Sequence, residues 1–270
     1  MKRSDRLIGM TNYLLEHPIE LISLPFFTER YDAAKSSISE DLTIMNKMFE
    51  HEGIGYLESV SGASGGIRYI PKYDHAKSVA FIDRLRERLE DPERILPGGY
   101  LFMSDVLGEP ETIREIGRIF ATEFASLDID VVMTVATKGI PLAYAVAAFL
   151  NVPVVIVRRD PKITEGSTVS INYVSGSSRK IQTMVLTKRS LNQGANVCII
   201  DDFMKAGGTI DGMKNLLKEF DAKVAGIGVL AEAEDEEDER IVSDYISLLQ
   251  IATVDEKKQQ IEIIKGNYFD

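Results

Sequence analysis

One short stretch carries the densest chemistry in the chain: Asp201-Asp202-Phe203-Met204-Lys205-Ala206-Gly207-Gly208-Thr209. Gly207 and Gly208 let main-chain N–H groups approach an anion with no Cβ in the way, and Thr209 adds a hydroxyl donor. The helical pattern that follows, from Ile210 to Phe220, points a favourable dipole at the same place. Those are the requirements of a phosphate. The two carboxylates just ahead of it are acceptors where a ribose diol attached to that phosphate would lie. Donors for a phosphate beside acceptors for hydroxyls describe a ribose 5-phosphate.

The elements that must position this stretch can be read from the apolar runs around it. Ala195-Asn196-Val197-Cys198-Ile199-Ile200, the most apolar run of the chain, feeds directly into it and reads as the central strand of a parallel sheet. In open sheets of that kind ligands bind at the carboxyl ends of the strands, where loops feed helix starts. Further strands are predicted over 131–135, 152–157 and 184–186, and helices over 110–126 and 141–150. Between 160 and 182 the periodicity lapses around Gly166, Gly176, Thr164, Thr168 and the serines Ser167, Ser170, Ser175, Ser177 and Ser178. So long a connection between strands marks a functional lid or hood. Cys198 lies inside the apolar strand and reads as a small core residue.

The first 72 residues are organised differently. A helix is predicted from an N-cap at Ser4 to Glu16, with Leu7, Met10, Leu14 and Leu15 as its apolar stripe and Pro18 stopping it. A second covers 24–31 with Pro25 in its first turn, and a third covers 36–51 with Ile38, Leu42, Met45 and Phe49 facing the core. Two strand patterns, 56–60 and 67–70, flank the Gly-rich turn Ser61-Gly62-Ala63-Ser64-Gly65-Gly66. Three helices and a hairpin form a winged helix-turn-helix pattern, in which the third helix enters the major groove and the wing lies over the backbone or the minor groove. Lys35, Ser36, Ser37 and Ser39 at the start of helix three suit phosphates and base edges, and Arg68 and Lys72 could add charge from the wing. The same pattern would serve a dimerisation module with a serine cap. Amphipathic spacing over 74–90 (Val79, Phe81, Ile82, Leu85, Leu89) fits either subunit pairing or packing between the two parts.

Charge and composition bound the rest. The net charge of −11 looks hostile to nucleic acid, but Glu232 to Glu239 hold seven acids and no base, and removing them takes −11 to −4. Acidity concentrated in one run, read as a solvated loop, does not veto a local DNA-binding patch. One cysteine and three scattered histidines offer no disulfide and no metal-ligand spacing. No apolar run reaches the length of a membrane span and no signal peptide is visible, so the expected location is the cytoplasm.

Residues 197–209 resemble the thirteen-residue phosphoribosyl pyrophosphate motif of type I phosphoribosyltransferases. The resemblance assigns Asp201 and Asp202 to the ribose hydroxyls and Lys205 through Thr209 to the 5-phosphate. It also makes Ala136-Thr137-Lys138-Gly139 look like that family's pyrophosphate loop, with Lys138 offering charge and Gly139 backbone access. A pyrophosphorylated ligand would bring Mg²⁺. Both parts together resemble bacterial purine operon regulators of the Bacillus and Lactococcus type. That wider resemblance includes Lys35-Ser36-Ser37-Ile38-Ser39-Glu40-Asp41, Leu96-Pro97-Gly98-Gly99-Tyr100 and Glu165-Gly166-Ser167-Thr168-Val169-Ser170-Ile171-Asn172-Tyr173.

It implies an α/β protein with an N-terminal winged helix-turn-helix, residues 1–72, joined to a type I phosphoribosyltransferase-like domain, residues 73–270, with a parallel sheet and a hood. It also implies a homodimer that binds DNA upstream of purine biosynthesis and salvage genes. Phosphoribosyl pyrophosphate would be sensed without transfer being catalysed, so no catalytic residue and no protein metal site is assigned. Guanosine tetraphosphate could occupy the same phosphate cradle. Phe203 and Tyr100 could stack on a base or simply pack, and activation and repression both remain open. The other reading is an active purine phosphoribosyltransferase with an appended N-terminal domain; Arg179 and Lys180 in the hood would supply cations for it.

Overall fold

The computed structural model describes residues 1–62, 64–160, 166–174, 181–234 and 240–270. Ala63 of the wing turn, Thr164 and Glu165, the hood residues Ser175, Gly176, Ser177, Ser178, Arg179 and Lys180, and residues 235–239 of the acidic run lie outside them.

The N-terminal part forms α1 (Arg3–Glu16), α2 (Leu24–Tyr31), α3 (Lys35–Glu52) and an antiparallel hairpin of β1 (Gly55–Val60) and β2 (Gly66–Pro71). Met10, Leu14, Phe27, Ile38, Met45 and Phe49 close one core beneath the hairpin. The N-cap of α1 is Lys2, and Ser4 instead bonds the neighbouring Asp5 carboxylate, so the expected serine cap does not form. Leu15 is 41% exposed and drops out of the expected stripe; buried Arg6 joins Met10 and Leu14 in its place. Arg6 is there to meet Asp41 of α3, whose carboxylate is fully buried and also accepts from Arg3 Nε at 2.8 Å. A charge pair that locks two helices is invisible to a hydrophobic pattern.

In the larger part α4 (His75–Leu89) is capped by Asp74, and β3 (Ile95–Leu96) pairs with β4 (Tyr100–Leu101). The chain continues through α5 (Pro110–Phe124), β5 (Val131–Val135), α6 (Gly139–Leu150), β6 (Val154–Val157), β7 (Thr168–Val174), β8 (Ile181–Thr187) and β9 (Asn196–Met204). It ends with α7 (Gly208–Lys218), β10 (Lys223–Ala233), β11 (Ile246–Asp255) and β12 (Gln260–Lys265). Six strands form one sheet in the order β12-β11-β10-β9-β5-β6, parallel except for β12. β9 lies at its centre, as its composition requires.

Burial alternates along these strands. Val131, Met133, Val197 and Ile199 face a core shared with α7 and the β7–β8 hairpin, while Val132, Cys198 and Ile200 face α4, α5 and α6. The apolar stripe of α4 is therefore used inside this part, with Phe81, Ile82, Leu85 and Leu89 buried. The hood is the antiparallel β7–β8 hairpin, fixed to the sheet edge by reciprocal main-chain bonds between Arg158 and Val185 at 3.0 and 2.7 Å.

Candidate functional site

Strand β9 runs past the point where its apolar run stops. Pairing with β10 continues as far as Glu232 opposite Met204, so Asp201 and Asp202 stand inside the strand end and not in a loop after it. Sheet hydrogen bonding carried the strand through residues whose side chains have no strand preference. Beyond it, Gly207 is the N-cap of α7 with φ +83°, a left-handed conformation that glycine adopts without penalty. The first main-chain bond of this helix is Asp211 N–H to Gly207 O, so the amides ahead of it point out of the helix start. Phe203 through Ile210 enclose a cleft of about 60 Å³ there, a cradle of phosphate size.

A larger cavity of about 540 Å³ opens beside the cradle, lined by Ala136, Thr137, Lys138, Arg158, Arg159, Asp201, Asp202 and Thr209 among others. The loop 136–139 leads from β5 into α6, and its Ala136–Thr137 peptide is cis. Gly139 is packed so closely that a Cβ there would overlap Thr134 Oγ1 and lie 3.0 Å from Asp201 Oδ1. This close approach sets the loop against the end of β9, and residues 136–138 line one cavity with Asp201, Asp202 and Thr209. Thr134 Oγ1 is buried with no hydrogen-bond partner among the described residues.

Burial raises the pKa of Asp201 well above the usual carboxylate range, and the Asp202 charge adds to the effect; Arg159 pulls the other way. Asp202 is also raised by burial, against the opposing pull of Asp201's hydrogen bonding and the Lys138 ammonium. Two desolvated carboxylates facing an open cavity gain from a ligand that brings hydroxyl donors or positive charge. The residues therefore fit a phosphoribosyl group. Among the described residues no three His, Cys, Asp or Glu side chains converge into a metal site. A Mg²⁺ entering here would depend on ligand oxygens and water, with Asp160, Asp201 and Asp202 the carboxylates that line the cavity.

The structure thus gathers Ala136, Thr137, Lys138, Asp201, Asp202, Phe203 and Thr209 around the cavity, and Lys205, Ala206, Gly207 and Gly208 around the cradle. Met204 contributes main chain only, its side chain being buried in the core beside α7. Phe203 lines the pocket and also packs against the opposite core. Tyr100 does not join them. It is 61% exposed on the small β3–β4 hairpin, whose turn lies by Glu256 after β11. Arg158 and Arg159 are the cations that the sequence reading missed. The signal was available, because they follow the apolar run of β6 at the carboxyl end of a parallel strand, where the rule that located Asp201 applies equally.

In the N-terminal part α3 begins at Lys35 after Ala34, with no side-chain cap. Lys35, Ser36 and Ser39 are exposed on its first turns and Ser37 is half-buried, so no serine is consumed in capping. Ser39 Oγ donates to Lys35 O at 3.0 Å. Arg68 pairs with Glu58 directly across the wing, which lowers the charge the wing offers, while Lys72 is exposed just past β2.

Residues 2–71 match the family described as bacterial purine repressor, N-terminal, and residues 103–263 match the phosphoribosyl transferase domain. The purine biosynthesis transcriptional repressor PurR of Bacillus subtilis (strain 168) is 63% identical over 267 residues, 99% of this chain and 93% of that one. The purine biosynthesis transcriptional activator PurR of Lactococcus lactis subsp. lactis (strain IL1403) is 47% identical over 270 residues, covering 100% of this chain and 99% of that one. Among solved structures, adenine phosphoribosyltransferase from Rhodothermus marinus superposes with a TM-score of 0.55 at 22% identity, over 64% of this chain and 99% of that one. That likeness concerns the fold.

Proposed function

The chain belongs to the family of bacterial purine operon regulators and is a DNA-binding regulator of purine biosynthesis genes, and we propose that phosphoribosyl pyrophosphate held in the cavity above sets its activity. In this reading residues 1–72 bind DNA and residues 73–270 bind the effector and pair two copies. The cradle at Lys205–Thr209 takes the 5-phosphate, Asp201 and Asp202 take the ribose hydroxyls, and Ala136–Gly139 with Lys138 takes the pyrophosphate with Mg²⁺. Lys35, Ser36, Ser37 and Ser39 meet the DNA, assisted by Arg68 and Lys72. Guanosine tetraphosphate is a competing occupant of the same cradle. The observation that carries the reading is one cavity in which the 136–139 loop, the desolvated Asp201–Asp202 pair and Thr209 of the phosphate loop meet. A transferase needs that site too, but has no use for a winged helix, so the domain combination favours a sensor that does not catalyse transfer. The 63% identity to a repressor favours repression, which a ligand that weakens the DNA complex would relieve.

Anisotropy titration of a purine-gene upstream fragment and an unrelated fragment, at fixed salt, tests this directly. Phosphoribosyl pyrophosphate with Mg²⁺ should weaken the specific complex by at least about fivefold, the lower range of measured couplings between sites. Guanosine tetraphosphate should compete with it. Equal affinity with and without the ligand, or its consumption when a purine base is added, overturns the proposal.

A further inference from the structure

Beside the cradle a second segment leans on the phosphate loop without lining it. Residues 240–243 return from the acidic run toward β11, and Ile241 N–H donates to Ala206 O at 3.1 Å. Ala206 O and Gly207 N–H belong to one planar trans peptide and so point in opposite directions. Holding the carbonyl toward residue 241 aims the Gly207 amide away from that segment, and Gly207 lines the cradle whereas residues 240–243 do not. Val242 is buried and backs Gly207 so closely that a Cβ on that glycine would lie 2.7 Å from its Cγ2.

The segment is itself clamped. Arg240 Nη1 pairs with Glu232 and Nη2 donates to Ala233 O, both at 2.5 Å, and Tyr245 Oη donates to Glu232 at 2.6 Å. Glu232, the first acid of the run expected to be a solvated loop, is instead only 3% exposed, because it lies in β10 opposite Met204 and pairs with Arg240.

We propose that Arg240 and Val242 are positioning residues for the effector phosphate, a brace that orients the Gly207 amide through the Ile241–Ala206 bond. This rests on the assignment of the cradle to a 5-phosphate. Neither side chain touches the ligand; the brace pre-organises a main-chain donor, and its loss leaves that donor free to turn. It also ties the acidic run to effector binding, since Arg240 directly follows Glu239 and pairs with Glu232 at the run's start.

The test compares two probes by calorimetry on the full chain: ribose 5-phosphate, which needs the cradle, and pyrophosphate with Mg²⁺, which needs the Lys138 loop. Arg240→Ala should weaken ribose 5-phosphate about tenfold or more and leave pyrophosphate within twofold, with Arg240→Lys partly restoring affinity. Val242→Ala, which keeps the Glu232 pair intact, should reproduce the same split with a smaller loss. Melting temperature and affinity for DNA without effector are measured alongside. If wild-type protein binds ribose 5-phosphate and neither variant changes that, the brace is overturned and the cradle stands. Equal losses for both probes with a falling melting temperature overturn the positioning role in favour of a structural one. Failure of wild-type protein to bind either probe overturns the cradle assignment and the brace with it.

Discussion

Two helix starts divide the chemistry of this molecule. α7 begins at a left-handed glycine packed against Val242, with an enclosed cleft in front of it and two desolvated carboxylates beside it. α3 begins in the open at Ala34 and Lys35, uncapped, with exposed Lys35, Ser36 and Ser39. The first start is main chain held in place by its surroundings, suited to one small anion in one pose. The second is a set of exposed side chains, suited to a long polyanion met at many points. Removing one group should be severe at the first and mild at the second, because an enclosed donor or acceptor has no substitute whereas a surface shares its contacts.

The largest effect should come from Asp201→Asn with Asp202→Asn. Two charge-assisted hydrogen bonds to the ribose, each worth roughly 1.5–3 kcal/mol, put the expected loss of phosphoribosyl pyrophosphate affinity at about a hundredfold or more. Basal DNA binding should be unchanged. The same variant should be more stable without ligand. Both carboxyls have raised pKa values in the folded state, so above the ordinary carboxylate value of about 4 the folded protein holds protons that the unfolded chain has released, and wild-type stability falls as pH climbs from there. The variant's melting temperature should exceed that of wild type at pH 8, and the gain should shrink toward pH 4. Equal melting curves at both pH values would show that the pair is not under electrostatic load.

The contrast also explains which features could be read from the residues. The cradle was legible because its chemistry depends on glycines, and glycines at a strand–helix junction are visible in sequence. The end of β9 was not, since pairing with β10 extends the strand through Asp201 and Asp202 against their local preference. The helices were legible from their stripes, and all four core residues expected on α3 are buried. The Arg3–Asp41–Arg6 lock was not, because an ion pair between helices 35 or more residues apart leaves no periodic trace. Arg158 and Arg159 were legible in principle and overlooked. Tyr100, which could stack on a base or pack, stands apart from the pocket on its hairpin, 61% exposed.

A smaller effect tests the other helix start. Lys35→Ala removes one exposed cation from the first turn of α3, and its expected signature is a loss of DNA affinity of about threefold together with a shallower salt dependence. The slope should fall by roughly 0.9 per subunit if the ammonium displaces one counterion from a phosphate. Affinity for phosphoribosyl pyrophosphate should not move. A loss that is equally large at every salt concentration would mean that Lys35 reads a base edge, making the surface more like the pocket than the comparison allows.

The smallest expected effect is the one that separates the wing from α3. Arg68 spans the hairpin to Glu58, with 37% and 41% of their side chains exposed, so the pair contributes at most about 1 kcal/mol to stability and Glu58→Gln should barely change the melting temperature. What the substitution changes is charge. With ten acids and eight bases in residues 1–72, the DNA-facing part is close to neutral, and one carboxylate held against a wing arginine is a measurable fraction of its field. Glu58→Gln leaves Arg68 a neutral acceptor and a full positive charge to present. If the wing lies over the DNA backbone, affinity should rise about twofold and the salt slope should steepen by up to roughly 0.9, in the opposite direction to Lys35→Ala. An unchanged slope would place Arg68 beyond reach of any phosphate, and recognition would then rest on the start of α3 with Lys72.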